Sequence, residues 1–235
     1  DIHGNLEALT AVLTSVSTCG ADGLLCLGDV VGYGADPGPC VERVRQEAVA
    51  VVSGNHDAGA VGRLDLDWFN PFAKAAALWT AEQLCGDHRA YLSSLPLVAR
   101  IDEATLVHAS PRVPEDWDYL ISARDGFEVF PFFMTRLCFV GHSHRPGVWI
   151  EGPDGVRFEP YPSQQELLPG HRYIVNVGSV GQPRDRDPRA ACAIWDTDAQ
   201  TITIHRVSYD TRAAQAKIRE AGLPSILADR LAHGV

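Results

Sequence analysis

Four times in the first 144 residues a short apolar run ends in side chains that bind cations. Gly23-Leu24-Leu25-Cys26-Leu27 runs into Gly28-Asp29, and Val49-Ala50-Val51-Val52 into Ser53-Gly54-Asn55-His56-Asp57. Thr105-Leu106-Val107 is closed by His108, and Leu137-Cys138-Phe139-Val140 by Gly141-His142-Ser143-His144. Continuous apolar runs of this length read as strands buried on both faces, and open α/β sheets place their ligands at the carboxyl ends of such strands. The amino terminus, Asp1-Ile2-His3-Gly4-Asn5, carries the same closing residues, and Asp1 and His3 would share one side of an extended strand end. A ligand at a strand end needs its strand, so several apolar residues are expected upstream of Asp1.

The segments between these runs have helical spacing. Leu6, Leu9, Val12, Leu13 and Val16 predict an amphipathic helix stopped at Cys19-Gly20, and Pro39 to Ala48 predicts a second. Leu64 to Leu95 reads as helical in two pieces, the first opened by Asn70-Pro71 and the second capped by Asp87. Leu97 to Arg100 adds a strand, Arg112 to Tyr119 a polar and aromatic loop, and Ser122 to Phe130 a helix. Beyond Pro146 strands dominate: Val148 to Glu151 and Val156 to Glu159 about an Asp154-Gly155 turn, then Tyr173 to Val177, Ala190 to Trp195 and Thr201 to Val207, read as a meander. A helix capped by Asp210 and a short one over Ser225 to Leu231 end the chain. The pattern predicts one domain over 1–235, α/β in its first half and β-rich in its second, with 57–95 and 111–136 as candidate cap segments.

Composition narrows the function. A net charge of -10 argues against a general nucleic-acid binder, which needs a basic face to displace counterions. The six cysteines are scattered, with no Cys-x-x-Cys pair, so they read as small core residues of a chain kept in a reducing cytoplasm rather than as a zinc-finger or disulfide framework. No apolar run approaches the ~18 residues of a membrane span.

A histidine after a strand is more often a hydrogen-bonded structural residue than a ligand. Here five of the nine histidines fall at strand ends, beside Asp1, Asp29 and Asn55. Imidazole, carboxylate and amide oxygen together suit two divalent cations of the Mn, Fe, Co, Ni or Zn type, whereas an all-oxygen set would suggest Mg or Ca. Asp1, His3, Asp29, Asn55, His108, His142 and His144 are too many for one ion and would fill two sites if one carboxylate bridges, Asp29 being the natural bridge. Two cations ~3.5 to 4 Å apart form a clamp for in-line displacement at phosphorus.

In order and context, Asp1-x-His3, Gly28-Asp29, Gly54-Asn55-His56-Asp57, His108 and Gly141-His142-x-His144 resemble the calcineurin-like metallophosphoesterase superfamily. Asn176-Val177-Gly178-Ser179-Val180-Gly181-Gln182-Pro183-Arg184-Asp185 is similar to a loop of its small bacterial and archaeal phosphodiesterase branch. The resemblance implies an α/β, four-layer αββα sandwich of two mixed sheets flanked by helices. It implies one metal on Asp1, His3, Asp29 and His144, and another on Asp29, Asn55, His108 and His142. His56 would be the catalytic residue, hydrogen-bonding the phosphoryl group or protonating the leaving oxygen, while a hydroxide bridging the metals attacks a small phosphoester, expected to be a nucleotide-like phosphodiester.

The sequence departs from the protein phosphatases and symmetrical diadenosine tetraphosphatases, which it would resemble more closely with Asp-Arg at the second motif and Glu at the third. Here these positions are Gly32-Tyr33 and Asp57. The arginine that would grip phosphate and the aspartate that would orient His56 are therefore missing from their usual places, and Asp57 is read first as a helix cap. Arg184 is a candidate substitute cation, with Arg145 a surface residue by preference, and Asn5 is a second substrate-binding candidate. Trp117 and Tyr119 could stack a nucleobase, although packing is the commoner use of aromatics. The alternative of a different class is a non-catalytic scaffold that keeps the fold.

Overall fold

The period of Leu6, Leu9 and Val12 is realised in the computed structural model, which describes all residues from Asp1 to Val235, as α1 (Leu6–Thr18). β1 (Leu24–Cys26), α2 (Pro37–Glu47) and β2 (Ala48–Val51) follow, and β1 and β2 lie parallel as neighbours. A parallel pair joined through a helix delivers both strand ends to one edge, which is how Asp29 and Asn55 come together. Asn55 also opens α3 (Asn55–Ala60), a short helix without an apolar period to announce it.

α4 (Pro71–Gln83) starts where Asn70 accepts the Phe72 and Ala73 amides, and α5 (Gly86–Ser94) has Asp87 inside its first turn rather than at the expected cap, which is Cys85. β3 (Val98–Ile101) and β4 (Ala104–Val107) form an antiparallel pair, followed by α6 (Ala123–Val129), β5 (Leu137–Val140), β6 (Gly147–Gly152) and β7 (Gly155–Pro160). β8 (Gln164–Glu166), β9 (Arg172–Asn176), β10 (Ala190–Asp196), β11 (Thr201–Val207), α7 (Thr211–Glu220) and α8 (Ser225–Asp229) complete the chain.

The expected meander is replaced by a non-local arrangement. The large sheet runs β3-β4-β5-β9-β6-β7, with β9 inserted between β5 and the β6–β7 hairpin, while β8 leaves that hairpin to pair with β11 in a sheet ordered β10-β11-β8. β4, β5 and β9 are parallel, so His108, the His142–His144 loop and the loop after Asn176 leave from one edge.

Hydrophobic burial stacks these elements as an αββα sandwich. Leu27, Val52 and Ile202 meet Leu106, Leu137, Phe139, Val148 and Val175 between the sheet layers. Leu9, Val41, Val44 and Leu92 seal one outer face against Cys26 and Val51, and Val129, Phe130 and Phe133 seal the other against Val107, Cys138 and Ile174. At ~25 cal/mol per Å² of apolar area, three such interfaces dominate the favourable side of folding. The cysteines divide: Cys26, Cys40 and Cys138 are core residues as expected, but Cys19 and Cys85 are exposed. No helix is long and apolar enough to cross a membrane.

Candidate metal centre

The edges of the two sheet layers meet at a backbone crossing built from the chain's first residues. The Ile2 and His3 amides both donate to the Asp29 carbonyl at 2.8 Å, and the Asp1 carbonyl accepts the Val180 and Gly181 amides at 3.0 Å and the Ser179 hydroxyl at 2.9 Å. The Asn176 side chain donates to the Gly141 carbonyl (2.6 Å) and the Ser143 hydroxyl oxygen (3.0 Å), so the Asn-x-Gly-Ser segment laces the histidine loop to the amino end. Gly181 is required there, because a Cβ would lie 1.8 Å from the Ile2 carbonyl oxygen. His3, Asp29, His142 and His144 all have left-handed backbone (φ 53°, 50°, 62° and 58°), a strain that persists only where surrounding contacts over-determine it.

Whether these residues fit a pair of cations is decided by their protons. His3 Nδ1 faces the Val31 carbonyl at 3.2 Å, His108 Nδ1 the Leu27 carbonyl at 2.7 Å and His144 Nδ1 the Gln182 carbonyl at 2.6 Å. A carbonyl only accepts, so each Nδ1 carries the proton and each Nε2 presents a lone pair inward. Those lone pairs meet other acceptors. His3 Nε2 lies 3.0 Å from His144 Nε2, and His108 Nε2 lies 3.2 Å from Asn55 Oδ1 and 3.3 Å from Asp29 Oδ2. Asp29 Oδ2 is also 3.5 Å from His3 Nε2, is buried, and accepts no hydrogen bond.

His142 Nδ1, 3.1 Å from His108 Nε2, is the one ring nitrogen placed to carry a proton into the group. Around His3, His144 and Asp29 Oδ2 the converging acceptors have no proton between them and repel unless a cation lies among them, so the donor set fits bound metal. Two clusters share Asp29: Asp1, His3, Asp29 and His144 in one, and Asp29, His108 and His142 in the other, each with its ligand atoms within 4.8 Å of one another. Asn55 adjoins the second through His108. Burial holds the His3 and His144 imidazoles well below their ordinary pKa and lowers His142 to about 3, keeping them in the neutral form that ligates.

His56 stands apart from both clusters. Its amide donates to Asp29 Oδ1 at 2.8 Å, but its ring Nδ1 is buried without a partner. Burial lowers its pKa to about 4, so the ring is neutral near pH 7. Aromatic packing holds it, with the Tyr33 centroid at 4.3 Å and Phe69 at 4.8 Å, and a Cβ on Gly32 would come within 2.6 Å of Nδ1. Asp57 does not orient it. Its carboxylate accepts the Gly54 amide at 3.0 Å and the Val31 amide at 3.1 Å, capping α3, and burial followed by the Asp29 charge pushes its pKa up to about 7.

The substrate-binding candidates separate. Arg184 lines the cavity over the cluster, donates to Gln182 Oε1 (2.9 Å) and the Tyr33 hydroxyl (3.2 Å), and keeps a buried Nε without a partner. Asn5 is engaged elsewhere: its side chain accepts the Ala8 amide to cap α1 and donates to the Gly181 carbonyl, and it lies outside that cavity. Arg145 is exposed and bonds the Arg184 carbonyl. Tyr33, absent from the sequence-predicted site, enters it as the partner of Arg184 and the wall of His56. The tyrosine in place of arginine after Gly32 was its only signal.

Gly54 gives a direct test of this packing. A Cβ there would lie 2.1 Å from Asp29 Oδ1 and 2.3 Å from the Asp29 amide, so Gly54→Ala must displace the shared carboxylate. The expected result is metal affinity weakened by ~10- to 100-fold, the size seen on disturbing a ligand's supporting contacts, with thermal unfolding still cooperative. Calorimetric titration with Mn checks it.

Residues 1–200 match a family model described as the calcineurin-like phosphoesterase superfamily domain. An uncharacterized protein of Methanocaldococcus jannaschii is 40% identical over 238 residues, spanning 100% of this chain and 96% of that one. A metallophosphoesterase crystal structure from Sphaerobacter thermophilus superposes with a TM-score of 0.86 at 47% identity, covering 100% of this chain and 96% of that chain. A hypothetical protein of Pyrococcus horikoshii, at 23% identity, TM-score 0.78 and the same coverages of 100% and 96%, shares the fold.

Proposed function

The chain belongs to the calcineurin-like phosphoesterase superfamily, and we propose that within it this protein is a dinuclear metal-dependent phosphodiesterase acting on small substrates. The observation that carries the reading is the convergence of unprotonated nitrogen and oxygen acceptors on Asp29 Oδ2. Asp1, His3, Asp29 and His144 would hold one cation, and Asp29, Asn55, His108 and His142 the other. Bound there, two divalent ions supply Lewis-acid polarisation of the phosphoryl oxygens and activation of a water as nucleophile.

The chain's own residues do the rest. The Nδ1-to-carbonyl bonds fix the tautomers of His3, His108 and His144 before substrate arrives, so little reorganisation is left for the reaction. His56 borders the cavity beside the clusters and serves as the hydrogen-bonding group for the phosphoryl or leaving oxygen. Arg184 supplies the cationic contact, pre-aimed by Tyr33 and Gln182. A diester suits this site better than a monoester, because a singly charged phosphoryl group needs less compensation and Arg184 is the only lysine or arginine lining the cavity.

Hydrolysis of bis-p-nitrophenyl phosphate and p-nitrophenyl phosphate with added Mn tests this. A kcat/KM ratio of about ten or more in favour of the diester is expected, corresponding to ~1.4 kcal/mol. A ratio favouring the monoester would contradict it.

A further inference from the structure

The cavity that opens over the metal cluster, about 600 Å³ in volume, changes chemistry from its floor to its mouth. At the floor lie His56, whose buried Nδ1 lacks a partner, and Arg184, whose buried Nε lacks one too. The Arg184 guanidinium is the cationic group of this part of the lining, and the neutral His56 ring a hydrogen-bonding one. The lining also includes Leu64, Trp68 and Phe69 and the segment from Glu115 to Tyr119.

The aromatic surface here is open to water. Trp68 is 84% exposed and Tyr119 54%, and Tyr119 stacks on the His142 ring with centroids 4.1 Å apart and planes at 22°. Trp117 sits in left-handed backbone (φ 56°) with its ring 5.9 Å from His108. Packing is the commoner use of such side chains, yet exposed aromatic rings in the lining of a cavity offer stacking to a planar ligand.

Between these aromatics stand carboxylates. Asp118 is taken by Arg112, but the side chains of Glu115 and Asp116 accept no hydrogen bond and enter no ion pair. With Arg184 at the floor the sole guanidinium or ammonium in the lining, the mouth repels further negative charge and favours groups that donate N–H. A phosphoryl group at the floor therefore suits a planar, amino-bearing group at the mouth, and additional phosphates there would face Glu115 and Asp116.

We propose that this cavity selects nucleotide diesters with a single phosphoryl group and an amino-bearing base, adenine, guanine or cytosine, and rejects polyphosphates. The proposal rests on the phosphodiesterase reading above. Uracil is the discriminating base, because its one ring N–H is flanked by two carbonyl oxygens that the carboxylates repel.

The 5′-p-nitrophenyl esters of the four mononucleotides share one leaving group and one charge and differ only in base. Each kcat/KM is taken relative to bis-p-nitrophenyl phosphate in the same preparation, so that a loss of folded protein cancels. With Mn, the adenine, guanine and cytosine esters are expected to exceed the uracil ester by about tenfold, the scale of a hydrogen bond to a charged acceptor. Diadenosine tetraphosphate should be turned over at least about tenfold more slowly than the adenine ester, from like-charge repulsion.

In the double variant Glu115→Gln and Asp116→Asn the base preference should collapse toward one and the relative rate on the tetraphosphate should rise. Equal rates on all four esters, or a base preference unchanged in the double variant, would overturn the proposal. No hydrolysis of any diester, bis-p-nitrophenyl phosphate included, would instead overturn the phosphodiesterase reading and this proposal with it.

Discussion

Asp29→Ala is expected to abolish both metal binding and hydrolysis, the largest effect of any single substitution in this chain. Asp29 is fully buried, its Oδ2 lies 3.5 Å from His3 Nε2 and 3.3 Å from His108 Nε2, and it is the member that the two ligand clusters share. Removing it leaves neutral imidazoles to hold doubly charged ions with only Asp1 as counter-charge. At Asp29 burial works to raise the carboxyl pKa, but the electrostatic and hydrogen-bonding pull of His108, with His56 and His3, outweighs it and holds the group well below the usual carboxylate range.

A loss in kcat/KM of ~10⁴, about 5.5 kcal/mol, is expected, with bound metal falling from two equivalents toward none. Alanine also strips the His56 amide of its acceptor, a cost of ~1 to 3 kcal/mol in stability. Asp29→Asn keeps an acceptor there and removes only the charge. It should lose metal equally while unfolding nearer the parent temperature, and two equivalents of metal retained by Asp29→Asn would remove the bridging role.

His56→Ala should give the opposite signature. The His56 ring belongs to neither cluster, leaves Nδ1 unpartnered, and is held by Tyr33 and Phe69 rather than by a carboxylate. Elemental analysis should still find two metal equivalents, while kcat/KM on bis-p-nitrophenyl phosphate falls by ~10² to 10⁴, the range for a positioned proton-transfer or hydrogen-bonding group. Metal loss matching that of Asp29→Ala would make His56 a ligand, and an unchanged rate would remove it from the chemistry.

What could be read from the sequence was local. An apolar run followed by glycine and a ligand residue states its own strand and its own end, so the gathering of Asp29, Asn55, His108, His142 and His144 at one edge was legible from β1, β2, β4 and β5. The order β3-β4-β5-β9-β6-β7 was not, because nothing in Arg172–Asn176 encodes which strands will flank it. β8 was invisible for a different reason: Gln164-Gln165-Glu166 is wholly polar, and pairing with β11 overrides its composition.

The same division holds inside the site. Imidazole ligands are named by residue type, but the carbonyls of Leu27, Val31 and Gln182 that set their tautomers are backbone groups, which any sequence would supply. Arg184 and Tyr33 are 151 positions apart, so their pairing is a fact of the fold alone. Asn5 was ambiguous for a physical reason. Beside a ligand motif it read as a substrate contact, yet asparagine is also a preferred helix cap, and that is its use here.

The most direct test of a two-metal phosphodiesterase is the titration of chelator-treated protein with Mn while bis-p-nitrophenyl phosphate hydrolysis is followed. Activity should be absent at the start, rise with added metal and level off at two equivalents per chain. Full activity in the chelated protein, or a plateau at one equivalent, would contradict it.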